Sequence, residues 1–171
     1  CTITDLFDLK SLGFDLNWEQ MLAMDWIATP LVLAAGGAEG RVVYCFLGKG
    51  MDVEHCFAQQ TLQFMDQESL QAVQNAVSLS GLSANNTGFY FWLPAFYNTR
   101  ITGSSIGLPV YIGCKLLINQ IPWPKIICTG ALSETGELLE VEGIEQKIEA
   151  AQEHGFQGMI FPGTGTQNLP D

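Results

Sequence analysis

KIICTGALSETGELLEVEGIEQKIEAAQEHGFQGMIF, residues 125–161, is the stretch on which the fold turns. It opens on an apolar, β-branched run that predicts a buried strand over 125–132. Glu134-Thr135-Gly136 then turns the chain back into a second extended run over 137–141. A helix is predicted from 144 to 154, with Ile144, Ile148 and Ala151 recurring on one face and Gly155 ending it. Gly158-Met159-Ile160-Phe161 reads as the last strand, closed by Pro162-Gly163. Strands and helices alternate here without a regular strand–helix–strand repeat. The pattern predicts a mixed α/β or α+β fold, mixed sheets with packed helices.

Working outward, residues 106–119 predict an apolar helix that tolerates Pro109 only in its first turn. A polar loop over 98–103 precedes it, and 89–93 is a strongly β-prone run. Asp66 is placed to cap a helix running to 79, whose Leu70, Val73 and Val77 share a face. The runs 31–35 and 41–47 flank Gly36-Gly37-Ala38-Glu39-Gly40 and predict a hairpin. Asn17 is placed to cap a helix over 18–28 that Pro30 stops. The expected organisation is a helical lead-in, 1–28, and one domain, 29–171.

The 171 residues, 47% hydrophobic and 15% charged, carry enough apolar surface for one core and argue against disorder. Seven Lys+Arg stand against eighteen Asp+Glu, a formal charge of −11, which disfavours nucleic acid and anionic membrane as partners. No apolar run is long enough to span a bilayer. The N-terminus shows no signal-peptide pattern and no Met, so the chain is expected to be a processed or excised piece. Of five cysteines, Cys45, Cys114 and Cys128 sit in apolar runs and read as small buried hydrophobes. No C-x-x-C occurs, and a reducing, cytoplasmic setting is expected. Asn85-Asn86-Thr87 matches a glycosylation sequon and is read as chance.

Two positions could carry chemistry. In Gly103-Ser104-Ser105-Ile106-Gly107, small residues surround a hydroxyl at a loop-to-helix junction, where free N–H groups can hold negative charge. Ser105 is placed as a nucleophile would be; the plainer reading makes Ser104 or Ser105 an N-cap. In the 144–154 helix, Lys147 falls on the apolar stripe, opposite Glu145, Glu149 and Glu153. A lysine there either snorkels to water or loses its proton. Neutrality at pH 7 requires a shift of about 3 pK units from ~10.4, within the reach of burial. A neutral amine beside a serine is a general base.

From Gly103 onward the chain resembles the proteolytic domain of Lon proteases. That family carries G-P-S-A-G, a helix, a T-G-E strand, a G-x-[LV]-x-x-[IV]-G-G hairpin and a helix opening L-K-E-K. The same order here reads Gly103-Ser104-Ser105-Ile106-Gly107, Thr129-Gly130-Ala131, 136–143 and Ile144-Glu145-Gln146-Lys147. Weaker likeness extends upstream through Leu47-Gly48-Lys49-Gly50 and Leu93-Pro94, so that about 30–170 is covered. The resemblance implies a serine endopeptidase with Ser105 as nucleophile and Lys147 as general base, a polypeptide substrate and no cofactor. It also implies that Thr129 orients the lysine; the plainer reading of Thr129 is a strand hydroxyl satisfied by backbone. Ser104, beside Ser105 in the sequence, is read as a supporting residue. Lys49-Gly50 reads as a substrate-binding loop or as a plain turn.

Several positions depart from the family pattern. Ser104 replaces a proline, Ala131 replaces the acid of T-G-E, and Glu145 replaces the first lysine of L-K-E-K. Ile101-Thr102 stands where the family has an acid. No phosphate-binding G-x-x-x-x-G-K-[ST] is present, so any ATP-driven unfolding machinery would lie elsewhere or be absent; a homo-oligomer or an upstream regulatory or ATPase domain outside this chain is left open.

Other readings compete. A non-catalytic Lon-like binding or sensor module would keep both residues in a closed site. An α/β-hydrolase-type esterase would use Gly103-Ser104-Ser105-Ile106-Gly107 as its nucleophile elbow with His154 downstream, and would need a strand leading directly into it. Metal chemistry is disfavoured by two histidines, His55 and His154, far apart in sequence. The acids from Glu134 to Glu153 read as a solvated face.

Overall fold

The computed structural model describes residues 18–34, 39–51, 56–82, 87–163 and 165–168. It is an α+β fold of five α-helices and nine strands among those residues. Strand β1 (Asp25–Ala34) and strand β2 (Gly40–Met51) pair antiparallel from Asp25↔Lys49 to Ala34↔Gly40. This is the hairpin the two apolar runs predict; its tip, 35–38, lies outside the described residues, as do Asn17, Cys1, His55, Asn85 and Asn86.

The expected helix over 18–28 is corrected. Helix α1 covers only Trp18–Leu22, and β1 begins at Asp25, so Pro30 sits within a strand rather than stopping a helix. The sheet order β1-β2-β4-β3, with β3 at Cys56–Phe57 and β4 at Thr87–Trp92, makes β1 an edge. An edge strand has one side that needs no ladder N–H, so it accepts a proline.

Both faces of this hairpin are covered, which explains its near-continuous apolar sequence. Leu31, Leu33, Val43, Cys45 and Leu47 face one core. They pack there with Val73 and Val77 of helix α3 (Gln67–Ser80) and Val110 and Cys114 of helix α4 (Gly107–Ile118). Val32 and Val42 face a second core with Ala150 and Ala151 of helix α5 (Ile144–Glu153). That core also takes Ile127 and Met159, from strands β5 (Ile126–Cys128) and β8 (Gly158–Phe161).

Asp66 caps α3 as its sequence position predicts, its side chain accepting from Ser69 N. Pro109 lies in the first turn of α4, where its missing N–H costs no intrahelical bond. Strand β5 runs parallel to β8, and β8 pairs antiparallel with β9 (Gly165–Asn168), so Gly158–Phe161 is not the last strand. Helix α2 (Gln59–Leu62), β3 and β9 are short elements that no periodicity announces.

The single strand expected over 125–132 is split. Thr129 N–H still bonds the Ile160 carbonyl at 3.0 Å, but Gly130 turns away to bond the start of α4. Strand β6 (Ala131–Leu132) then pairs with β7 (Leu138–Leu139) as a separate hairpin. Helix α5 seats directly on the β1–β2 ladder: a Cβ at Gly40 would overlap the Gln146 carbonyl and press on Ala150. Only glycine allows this close approach.

Candidate active site

The turn before α4 sets up the first half of the site. Gly103 has φ +78°, a left-handed conformation that glycine takes at little cost. The helix cap is Ile106, with no side-chain cap bond, so neither Ser104 nor Ser105 serves as the N-cap of the plainer reading. Gly107 N–H is used on the Ser104 carbonyl at 3.0 Å and Leu108 N–H on the Gly130 carbonyl at 2.9 Å. The N–H groups of Ser105 and Ile106 have no protein acceptor among the described residues. Two such donors at a helix start are suited to hold an anionic oxygen.

Helix α5 supplies the second half. Lys147 is only 3% exposed, carried inward by the stripe that buries Ala150 and Ala151. Its Nζ donates to Thr129 Oγ1 at 3.0 Å. Desolvation lowers this amine from an ordinary 10.5 to about 8, because burial penalises the charged form. No carboxylate forms an ion pair with it among the described residues.

Thr129 joins the halves. It is buried at the end of β5 and its hydroxyl, besides accepting from Lys147, donates to the Ser105 carbonyl at 3.4 Å. Gly130 N–H reaches the same carbonyl at 2.9 Å. Thus the break in the expected 125–132 strand is what ties Lys147, through one hydroxyl, to the backbone of Ser105. Ser104, Ser105 and Lys147 line one cleft of about 470 Å³, together with Leu33 and Ala34 from β1, the 140–142 segment, Glu68 and Arg100. The described hydrogen bond of Lys147 goes to Thr129 and not to Ser105.

The remaining sequence candidates lie elsewhere. Lys49-Gly50 is neither loop nor turn: it belongs to β2, and Lys49 Nζ stands 3.6 Å from Asp25 Oδ2. His154 lines another cleft, with Tyr44, Trp123 and Phe156, and its Nδ1 contacts the Ala150 carbonyl at 2.9 Å. No strand feeds the Gly103 turn, since β4 ends at Trp92 and Ile101 makes only an isolated bridge to Met65. The geometry of a nucleophile elbow with His154 is therefore missing. Cys45, Cys114 and Cys128 are free and buried; burial pushes the Cys114 thiol up to about 12 and the other two higher still, so all three are inert fillers. The acids from Glu134 to Glu153 are exposed. Among the described residues no group of His, Cys, Asp and Glu could hold a metal, and no helix is long and apolar enough to cross a membrane.

The chain is 30% identical over 82 residues to the archaeal Lon protease of Methanocaldococcus jannaschii. The matched stretch is 47% of this chain and 12% of that protein, so the chain spans a small fraction of the relative it matches. No family model matches. The likeness is that of a Lon-related region.

Proposed function

We propose that this region is a Lon-like serine peptidase working through a Ser–Lys dyad. Ser105 Oγ attacks the scissile carbonyl while neutral Lys147 accepts its proton. The tetrahedral oxyanion is held by the N–H groups of Ser105 and Ile106. Lys147 then returns the proton to the leaving amine, and water repeats the sequence on the acyl-enzyme. Thr129 is the positioning residue, fixing the amine by accepting a hydrogen bond from it. A Ser–Lys pair needs no third acidic member, because desolvation does what a charged partner could not: it favours the neutral base.

The observation that carries this reading is the buried amine of Lys147, lowered to about 8 and lining the same cleft as Ser105. Polypeptide is the substrate class, and any ATP-driven unfolding would be supplied from outside this chain. A second reading, a binding or sensor module with a closed site, draws on the described bond of Lys147 to Thr129 rather than to Ser105. A fluorophosphonate probe separates the two: Ser105 Oγ attacks phosphorus and fluoride leaves. Covalent labelling, read by intact mass, should occur in the wild type and vanish in Ser105→Ala and Lys147→Met. An unlabelled wild type, with the fold intact, favours the closed module.

A further inference from the structure

We infer that Asp66 is a positioning residue for the nucleophile turn, holding Gly103 with one carboxylate oxygen while the other caps α3. This rests on the reading of Ser105 as the nucleophile.

A helix cap needs only one acceptor. Asp66 Oδ1 supplies it, accepting from Ser69 N at 2.8 Å and lying 2.7 Å from Ser69 Oγ. Oδ2 is aimed elsewhere, at Gly103 N, 3.2 Å away and thirty-seven positions later in the chain. The segment just before Gly103 is tied to the same corner. Asp66 N–H bonds the Ile101 carbonyl at 3.2 Å, Ile101 N–H bonds the Phe64 carbonyl at 2.7 Å, and Ser69 Oγ lies 3.1 Å from the Ile101 carbonyl. The Ser69 hydroxyl, then the Ser69 N–H, hold the Asp66 carboxyl below its ordinary range, with Gly103 N–H and the charge of Arg100 adding less. The group is therefore charged, with both oxygens free to accept, at the pH where Lys147 loses its proton.

Ser105 thus hangs between two anchors. Upstream, Asp66 fixes Gly103; downstream, Gly130 N–H fixes the Ser105 carbonyl. Losing the first anchor frees the turn without touching the cleft's own groups, and a shift of about 1 Å in a reacting atom costs on the order of 10²-fold in rate.

Asp66→Asn isolates this second oxygen. The amide keeps one acceptor for Ser69 N–H but sets an NH₂ against Gly103 N–H. Asp66→Ser keeps a capping oxygen and removes the second arm. Both variants should label Ser105 with the fluorophosphonate at least 10-fold more slowly than wild type and melt within a few degrees of it. On unfolded casein both should lose kcat with KM changed less than twofold. Labelling within twofold of wild type in both, with Ser105→Ala unlabelled, overturns this inference and leaves the nucleophile in place. Ser105→Ala labelled at the wild-type rate overturns the nucleophile reading itself. Should either variant unfold, the wild type still decides: its Gly103 amide proton should be protected from hydrogen exchange and should shift as Asp66 titrates in acid. An unprotected Gly103 amide, with no such shift, sinks the inference.

Discussion

The β1–β2 ladder has a lysine near each end. At one end Lys49 pairs in register with Asp25, and its amine lies 3.6 Å from a carboxylate on a side chain that is 60% exposed. Such a solvated pair is worth ~0–1 kcal/mol. At the other end, Ala34 and Gly40 give α5 its seat, and Lys147 descends from that helix to a buried threonine hydroxyl. The same side chain is an ion-pair partner where water and a carboxylate are at hand, and an amine lowered to about 8 where burial desolvates it and no carboxylate pairs with it among the described residues. What separates them is packing: a glycine in β2 lets a helix come close enough to bury an amine.

The largest effect expected from breaking this contrast is at Lys147. Lys147→Met should lower peptide hydrolysis and probe labelling by at least about 10³-fold, in keeping with loss of a general base from a unit that acts together. Full activity in that variant removes the dyad. The same change should stabilise the fold at neutral pH. Unfolded, the amine titrates near 10.5; folded, near 8. Between those values the unfolded chain binds more protons, so wild-type stability rises with pH across that window and levels off above it. Below about 8 the folded chain carries the cost of a buried charge, on the order of 3 kcal/mol. Denaturation at pH 7 should show Lys147→Met more stable than wild type, with the gap closing as pH rises toward 10.5; an unchanged gap at both ends contradicts the lowered amine.

The rate itself should climb through about pH 8 as Lys147 deprotonates, and a profile flat from pH 6 to 9.5 is the outcome that denies it this role. Thr129→Val comes next. It removes the hydroxyl that accepts from Lys147 while keeping the β-branched shape, and should cost about 10- to 100-fold in kcat through misplacement of the amine. Thr129→Ser should recover most of that loss. A valine variant with wild-type kcat would reduce Thr129 to a strand residue. The smallest effect belongs to Lys49→Met: activity within twofold and stability changed by no more than about 1 kcal/mol, measured by denaturant titration. A large loss of activity there would return Lys49 to the substrate-binding role that its place in β2 argues against.

Legibility in the sequence followed the range of the forces involved. Helices α3, α4 and α5 were readable because each carries its own periodicity and punctuation: the Asp66 cap, Pro109 in a first turn, Gly155 after a last one. The inward face of Lys147 followed from its spacing to Ile144 and Ile148. The stretch 25–28 misled because a residue run with Trp26 and Ile27 fits a short helix as well as a strand, and its pairing with Phe46 to Lys49 decides between them. The interruption at Thr129-Gly130 was not readable, because the bonds that replace the ladder come from Ser105 and Leu108, more than twenty positions earlier. The second arm of Asp66 was hidden for the same reason: a capping aspartate looks alike whether its other oxygen meets water or Gly103.

The amino-acid sequence by itself determined the α+β alternation, the hydrophobic faces and the positions at which a hydroxyl and an inward amine stand, since these depend on neighbours within a few turns of chain. Only the tertiary structure decided that the two share one cleft, that Thr129 links the amine to the backbone of Ser105, and that Asp66 reaches Gly103. Desolvation and hydrogen-bond geometry arise where distant segments meet, and no local pattern encodes the distance between them.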